Sequence, residues 1–182
     1  LTAWSFFTDP PRSAARAAAL RARRGGASLS FDPGSFQMIT ELGVAAFLSV
    51  TQDLDIDVFL PNKQEATVLT GETEPERMAT ALNELYPNAL IVLKLDADGA
   101  LVLLDDGPHY VPPATNNLLD ATGAGDSFAG AFLARYLSGS PAPAAADFAT
   151  RVAAWVIEHT GARPLGDDRL AHILSTPEET AP

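Results

Sequence analysis

The sequence predicts an α/β fold whose mainly parallel sheet is one of three αβα layers. Strand-like apolar runs alternate with helix-like segments along the chain, the pattern of a sheet covered by helices. No internal repeat or linker divides the 182 residues, so one domain spanning 1–182 is expected. Apolar residues make up 47% of the chain, enough to build a sizeable core.

Each element follows from local chemistry. Residues 13–24 are rich in Ala and Arg, strong helix formers, and stop at Gly25-Gly26. Residues 27–31 read as a short strand ending in the turn-prone Asp32-Pro33-Gly34. The stretch 36–51 reads as helical. Residues 57–60 form a buried strand that delivers the chain to Pro61-Asn62, and a helix over 63–70 closes at Gly71. A further helix covers 76–86, with Pro75 near its first turn. The run 89–94 is the clearest buried strand. Residues 100–104 and 109–111 are further strands, with 89–94 and 100–104 hairpin-like around Asp98-Gly99. A polar loop over 112–120 leads to a helix over 127–137, which carries Phe128, Phe132 and Tyr136 as an apolar stripe. A long helix over 142–159 stops at Gly161, and the tail 175–182 reads as frayed.

Composition narrows the function. Twelve Lys+Arg against 23 Asp+Glu give a formal charge of −11. Such a surface does not neutralise a phosphate backbone, so no nucleic-acid partner is expected. A small phosphorylated ligand needs only local donors and stays open. With no cysteine there is no disulfide framework, thiol nucleophile or thiolate metal site. The longest apolar runs are too short to span a bilayer, and no basic-then-apolar leader is present. A cytoplasmic protein with no membrane partner is therefore expected. The chain opens on Leu1 rather than Met and reads as a piece of a longer one. Arg12, Arg16, Arg21, Arg23 and Arg24 read as a solvated helix face. His109, His159 and His172 show no metal-ligand spacing.

The most informative segment is Asp120-Ala121-Thr122-Gly123-Ala124-Gly125-Asp126. Small residues let a backbone approach a ligand, and a helix start presents unpaired N–H groups that hold anions. A dinucleotide fingerprint from Gly123 would need glycine at 128, where Phe stands, and no Gly-Lys pair supports a Walker loop. Asp126 would repel a tightly held ground-state phosphate. It makes sense as a base that takes a proton from an attacking hydroxyl, while the helix start favours its ionised form. The alternative is an acid that merely occupies a first helical turn.

Asn62 and Glu65 share one face at a strand–helix junction. They could orient Mg²⁺ through water, or simply cap the helix. Lys94 ends an apolar strand, where it reaches a phosphate or only snorkels to solvent.

In this order the three elements resemble the ribokinase/PfkB carbohydrate kinase family. Residues Asp120-Ala121-Thr122-Gly123-Ala124-Gly125-Asp126-Ser127-Phe128 are similar to its C-terminal signature, and Asn62-Lys63-Gln64-Glu65 to its Asn-x-x-Glu motif. Leu69-Thr70-Gly71 and Thr160-Gly161-Ala162 are also family-like, and the similarity runs over about 27–165. The resemblance implies a ribokinase-like fold whose N-terminal strands and lid are absent here. It also implies an ATP-dependent phosphotransferase acting on a hydroxymethyl group of a sugar or nucleoside. Asp126 would be the base, with the amides of Gly123, Ala124 and Gly125 as the anion hole. Asn62 and Glu65 would organise Mg²⁺ through water. Asn62, Glu65, Lys94, Asp96, Gly99 and Thr150 would border the nucleotide. Asp120 and Thr122, with the Gly161 loop, are candidate holders of a monovalent cation such as K⁺. A homodimer of the full-length protein is a further implication. Asp96 stands where the family usually has glycine, and the Asp32 turn lacks the Asn and Arg of many relatives. The rival expectation is a non-catalytic nucleotide- or sugar-binding module.

Overall fold

The structure, a computed structural model, describes residues 1–175. The expected frayed tail lies outside them, except for Ser175, which ends a helix. Cα packing divides the described residues into two units, Leu1–Leu95 with Leu103–Pro108, and Asp96–Val102 with 109–175.

The first unit is built on a sheet. Its strands are β1 (Ser30–Phe31), β2 (Val58–Phe59) and β3 (Leu90–Lys94), completed by the ends of β4 (Ala100–Leu104) and β5 (Gly107–Val111). Strand order is β1-β2-β3-β4-β5. The β1–β2 and β2–β3 pairs are parallel, with Phe31 opposite Phe59 and Phe59 opposite Ile91. The strands are shorter than the apolar runs suggest, but β3 is buried nearly throughout, as expected of a central parallel strand. Helices α1 (Pro11–Arg24), α2 (Phe36–Leu42), α3 (Val44–Thr51), α4 (Lys63–Thr70) and α5 (Pro75–Leu85) complete the unit. The stretch 36–51 is therefore two helices, broken where Gly43 takes a φ of +88°.

Aromatic rings fill this core. Phe31 stacks on Phe59, and the Phe59 and Tyr86 ring centroids lie 4.4 Å apart. The Tyr86 hydroxyl meets Thr51 Oγ1 at 2.8 Å, and burial pushes its pKa up to about 12. The basic face of α1 is not merely solvated. Arg16 pairs with Asp53, Arg23 pairs with Asp55 and Asp57, and Arg12 donates to the carbonyls of Phe6 and Phe7. A planar guanidinium suits such multi-point contacts; Arg16 and Arg23 strap α1 to the segment preceding β2, and Arg12 ties it to the turn before its own start.

The second unit is helical: α6 (Ala124–Tyr136), α7 (Ala142–Ile157) and α8 (Asp168–Ser175). On α6 the expected stripe is realised, with Phe132 stacked on both Phe128 and Tyr136. Arg135 lies over the Phe148 ring of α7, 4.2 Å from its centroid. Trp155 is buried and donates through Nε1 to Asp167 at 2.8 Å, tying α7 to the turn that opens α8. Helix α8 is not among the elements the sequence predicts. No helix among the described residues is long and apolar enough to cross a membrane.

Candidate active site

The nominated residues fall into two groups, one in each unit. In the first, the ends of three parallel strands bring chemistry together. Asp32 follows β1, Asn62 follows β2, and Lys94 closes β3. Asn62 and Lys94 form an isolated parallel bridge, with the Lys94 N–H bonded to the Pro61 carbonyl at 2.9 Å. The carboxyl ends of parallel strands are where open α/β sheets place ligands.

Asn62 and Glu65 form a reciprocal capping box on α4. The Glu65 N–H donates to Asn62 Oδ1 at 2.9 Å, and the Asn62 N–H donates to Glu65 Oε2 at 2.8 Å. Glu65 is only 2% exposed. These oxygens serve the helix, and among the described residues no group of three or more His, Asp or Glu could hold a metal ion.

Lys94 is 9% exposed and donates through Nζ to Asp32 Oδ2 at 2.6 Å. Its partner, Asp32, is not among the site residues the sequence predicts. Their separation of 62 positions left no local signal, although Asp32 stood in a turn already noted.

In the second unit, the glycine-rich loop and the loop after α7 are stapled together. Asp120 Oδ1 accepts from the Thr122 N–H at 2.9 Å, and Oδ2 accepts from the Gly161 N–H at 2.8 Å. Hydrogen bonding from Thr122 and then Gly161 holds the Asp120 pKa at about 2, below its ordinary 3.8. The N–H groups of Leu119 and Asp120 both bond to the Ile157 carbonyl. Asp120 is thus ionised, but both its oxygens already accept hydrogen bonds, which limits what it can offer a monovalent cation.

Gly123 is the N-cap of α6, with a φ of +81°. The helix begins at Ala124, not at residue 127 as expected, because the Ala124-Gly125-Asp126 stretch is itself its first turn. Ala124 already gives its N–H to the Ala121 carbonyl at 3.1 Å. Gly125 and Asp126 follow it, at positions whose N–H groups the helix cannot satisfy. The Asp126 side chain is exposed at the helix mouth, not buried in a structural contact.

Three nominated residues have structural duties. Asp96 takes a left-handed φ of +54°. That conformation is natural to glycine and tolerated by Asp, which explains how this chain departs from the usual glycine there. A Cβ on Gly99 would lie 2.1 Å from the Val111 carbonyl oxygen, so glycine permits that close approach. Thr150 is buried, and its Oγ1 donates to the Asp147 carbonyl at 2.7 Å.

Comparison with known proteins places this α/β chain among kinases. The family model described as pfkB family carbohydrate kinase matches residues 12–168. The chain belongs to that family. An uncharacterized sugar kinase of Archaeoglobus fulgidus is 34% identical over 139 residues, covering 75% of this chain and 52% of that protein. An Escherichia coli fructokinase is 29% identical over 126 residues, covering 69% of this chain and 41% of that protein. The chain thus spans about half or less of the length of these relatives. Among solved structures, adenosine kinase from Sinorhizobium meliloti superposes with a TM-score of 0.80 at 25% identity, covering 94% of this chain and 53% of that one. Fructokinase from Vibrio cholerae O395, solved with fructose, ADP and calcium ion, gives 0.77 at 26% identity, covering 89% of this chain and 55% of that one. The fold is the ribokinase-like α/β fold that the sequence predicts.

Proposed function

We propose that this chain carries the nucleotide-binding and base-bearing part of an ATP-dependent kinase acting on a hydroxymethyl group of a sugar or nucleoside. One observation carries the reading. Asp126 stands exposed at the third helical position of α6, directly after a glycine cap whose helix start offers unsatisfied N–H groups.

In this reading, Asp126 accepts the proton of the attacking hydroxyl. The Gly123 and Gly125 amides face the charge that builds on the transferring phosphoryl group. Ala124 contributes less, its N–H being committed to Ala121. Asn62 and Glu65 would hold a hydrated Mg²⁺ ion, and Lys94 donates to phosphate oxygen. Bound Mg²⁺ would supply charge neutralisation on the nucleotide phosphates. The fructokinase structures containing ADP with calcium or potassium ion support nucleotide and cation use of this general kind. Asp120 and Thr122 remain the proposed neighbours of a K⁺ ion. Asp96 keeps the backbone that a glycine would adopt, so its presence does not favour a non-catalytic module.

The test is Asp126→Asn in the full-length gene product, assayed against a panel of sugars and nucleosides. ATP–Mg²⁺ binding by calorimetry is expected to persist, while turnover falls about 10²–10⁴-fold. Near-normal turnover would remove Asp126 as the base.

A further inference from the structure

Lys94 is not an unattached strand-end cation. Its stem is buried at the end of β3, and its ammonium donates to Asp32 Oδ2 at 2.6 Å. Asp32 is itself immobilised. Its Oδ1 accepts the Gly34 N–H at 2.9 Å, and its own N–H and carbonyl bond to Leu1 and Ala3. Lysine is a compact charge on a flexible four-carbon stem, so a fixed carboxylate decides where that charge sits. Here it sits where three parallel strands end, around the Asn62–Lys94 bridge.

We infer that Asp32 is a positioning residue. It holds the Lys94 ammonium at the carboxyl edge of the sheet, ready to donate to a phosphate of a bound nucleotide. This rests on the function proposed above. The physical reason is twofold. An ammonium has three N–H donors, so one bond to Asp32 leaves others to direct at an anion. Removing either partner would also leave the other as an uncompensated, largely buried charge, so the pair is held together at the sheet edge.

The test uses the full-length gene product as wild type, Asp32→Asn, Lys94→Met and the double variant, each checked by thermal melting. Lys94 reactivity toward a small acylating ester is followed by peptide mass spectrometry, with and without ATP and MgCl₂. Calorimetry gives ATP–Mg²⁺ affinity. Asp32→Asn is expected to speed Lys94 acylation several-fold, and ATP–Mg²⁺ to slow it in the wild type. Each single substitution should weaken binding about tenfold, the scale of one charge-assisted hydrogen bond, and the double variant also about tenfold. Additive losses reaching about a hundredfold, or unchanged binding in Asp32→Asn, would overturn the positioning role. If the wild type binds no nucleotide while Lys94 reactivity still depends on Asp32, the nucleotide reading falls and leaves a purely structural ion pair. If Asp32→Asn does not fold, the comparison moves to Lys94→Met against the double variant, which buries no unpaired charge. Equal affinities support the role, and a further tenfold loss in the double variant refutes it.

Discussion

Gly123 and Ala162 meet backbone to backbone. A Cβ on Gly123 would lie 2.6 Å from the Ala162 carbonyl oxygen and 2.8 Å from its Cα, and Gly123 has a φ of +81°. Glycine is required twice over, by conformation and by space. Gly123→Ala is expected to cost about 1–3 kcal/mol, the range for a strained backbone held by its surroundings. Gly130, inside α6 with open space around it, is the control. Gly130→Ala should stabilise by about 0.5–1 kcal/mol. Thermal melts of both variants check the pair, and equal behaviour would contradict the contact.

The capping box makes Asn62 the start of α4. Asn62→Ala is expected to destabilise the chain by about 1 kcal/mol, while Asn62→Asp, which keeps an acceptor, should cost less. Denaturant unfolding of the two variants reads the difference. If Ala and Asp are equivalent, the cap contributes nothing.

Asp120 predicts a pH signature. Its folded pKa is about 2 against an ordinary 3.8. A depressed folded pKa contributes stability that is fully present above the ordinary value and is lost as pH falls toward the folded one. Asp120→Asn lacks the charge at every pH. The gap in melting temperature between wild type and Asp120→Asn should therefore shrink as the pH is taken from about 5 to about 2. A gap that stays constant would show that the hydrogen bonds to Thr122 and Gly161 do not depend on ionisation.

Asp96 occupies left-handed backbone. Asp96→Gly is expected to be tolerated, and Asp96→Val to cost about 1–2 kcal/mol, because a β-branched side chain clashes with its own backbone there. Melting curves give the order. A well-tolerated valine would rule out the positive φ.

What the sequence disclosed depends on how local each cause is. The 63–70 helix was legible to the residue because the Asn62 and Gly71 signals lie at its two ends. The interruption of 36–51 at Gly43 was not, since apolar periodicity continues across it. The start of α6 was misplaced for a similar reason: Gly-Ala-Gly reads as loop, but its last two residues are already helical. Asn62 and Glu65 could be paired from their spacing alone. Asp32 and Lys94 could not, because only strand order and register bring them together. Asp120 was nominated through resemblance, yet its bond to Gly161 spans 41 positions and needed coordinates. Helix α8 was missed because it is short and follows a stretch that reads as irregular.

The staple between Asp120 and Gly161, with the Ile157 carbonyl gripping Leu119 and Asp120, fastens the glycine-rich turn on both sides. On the function proposed above, an anion reaching that turn would find a backbone already held in place, so little torsional freedom remains to be surrendered on docking. Tightness there would come from slow departure of the visitor, with scant rearrangement of its host.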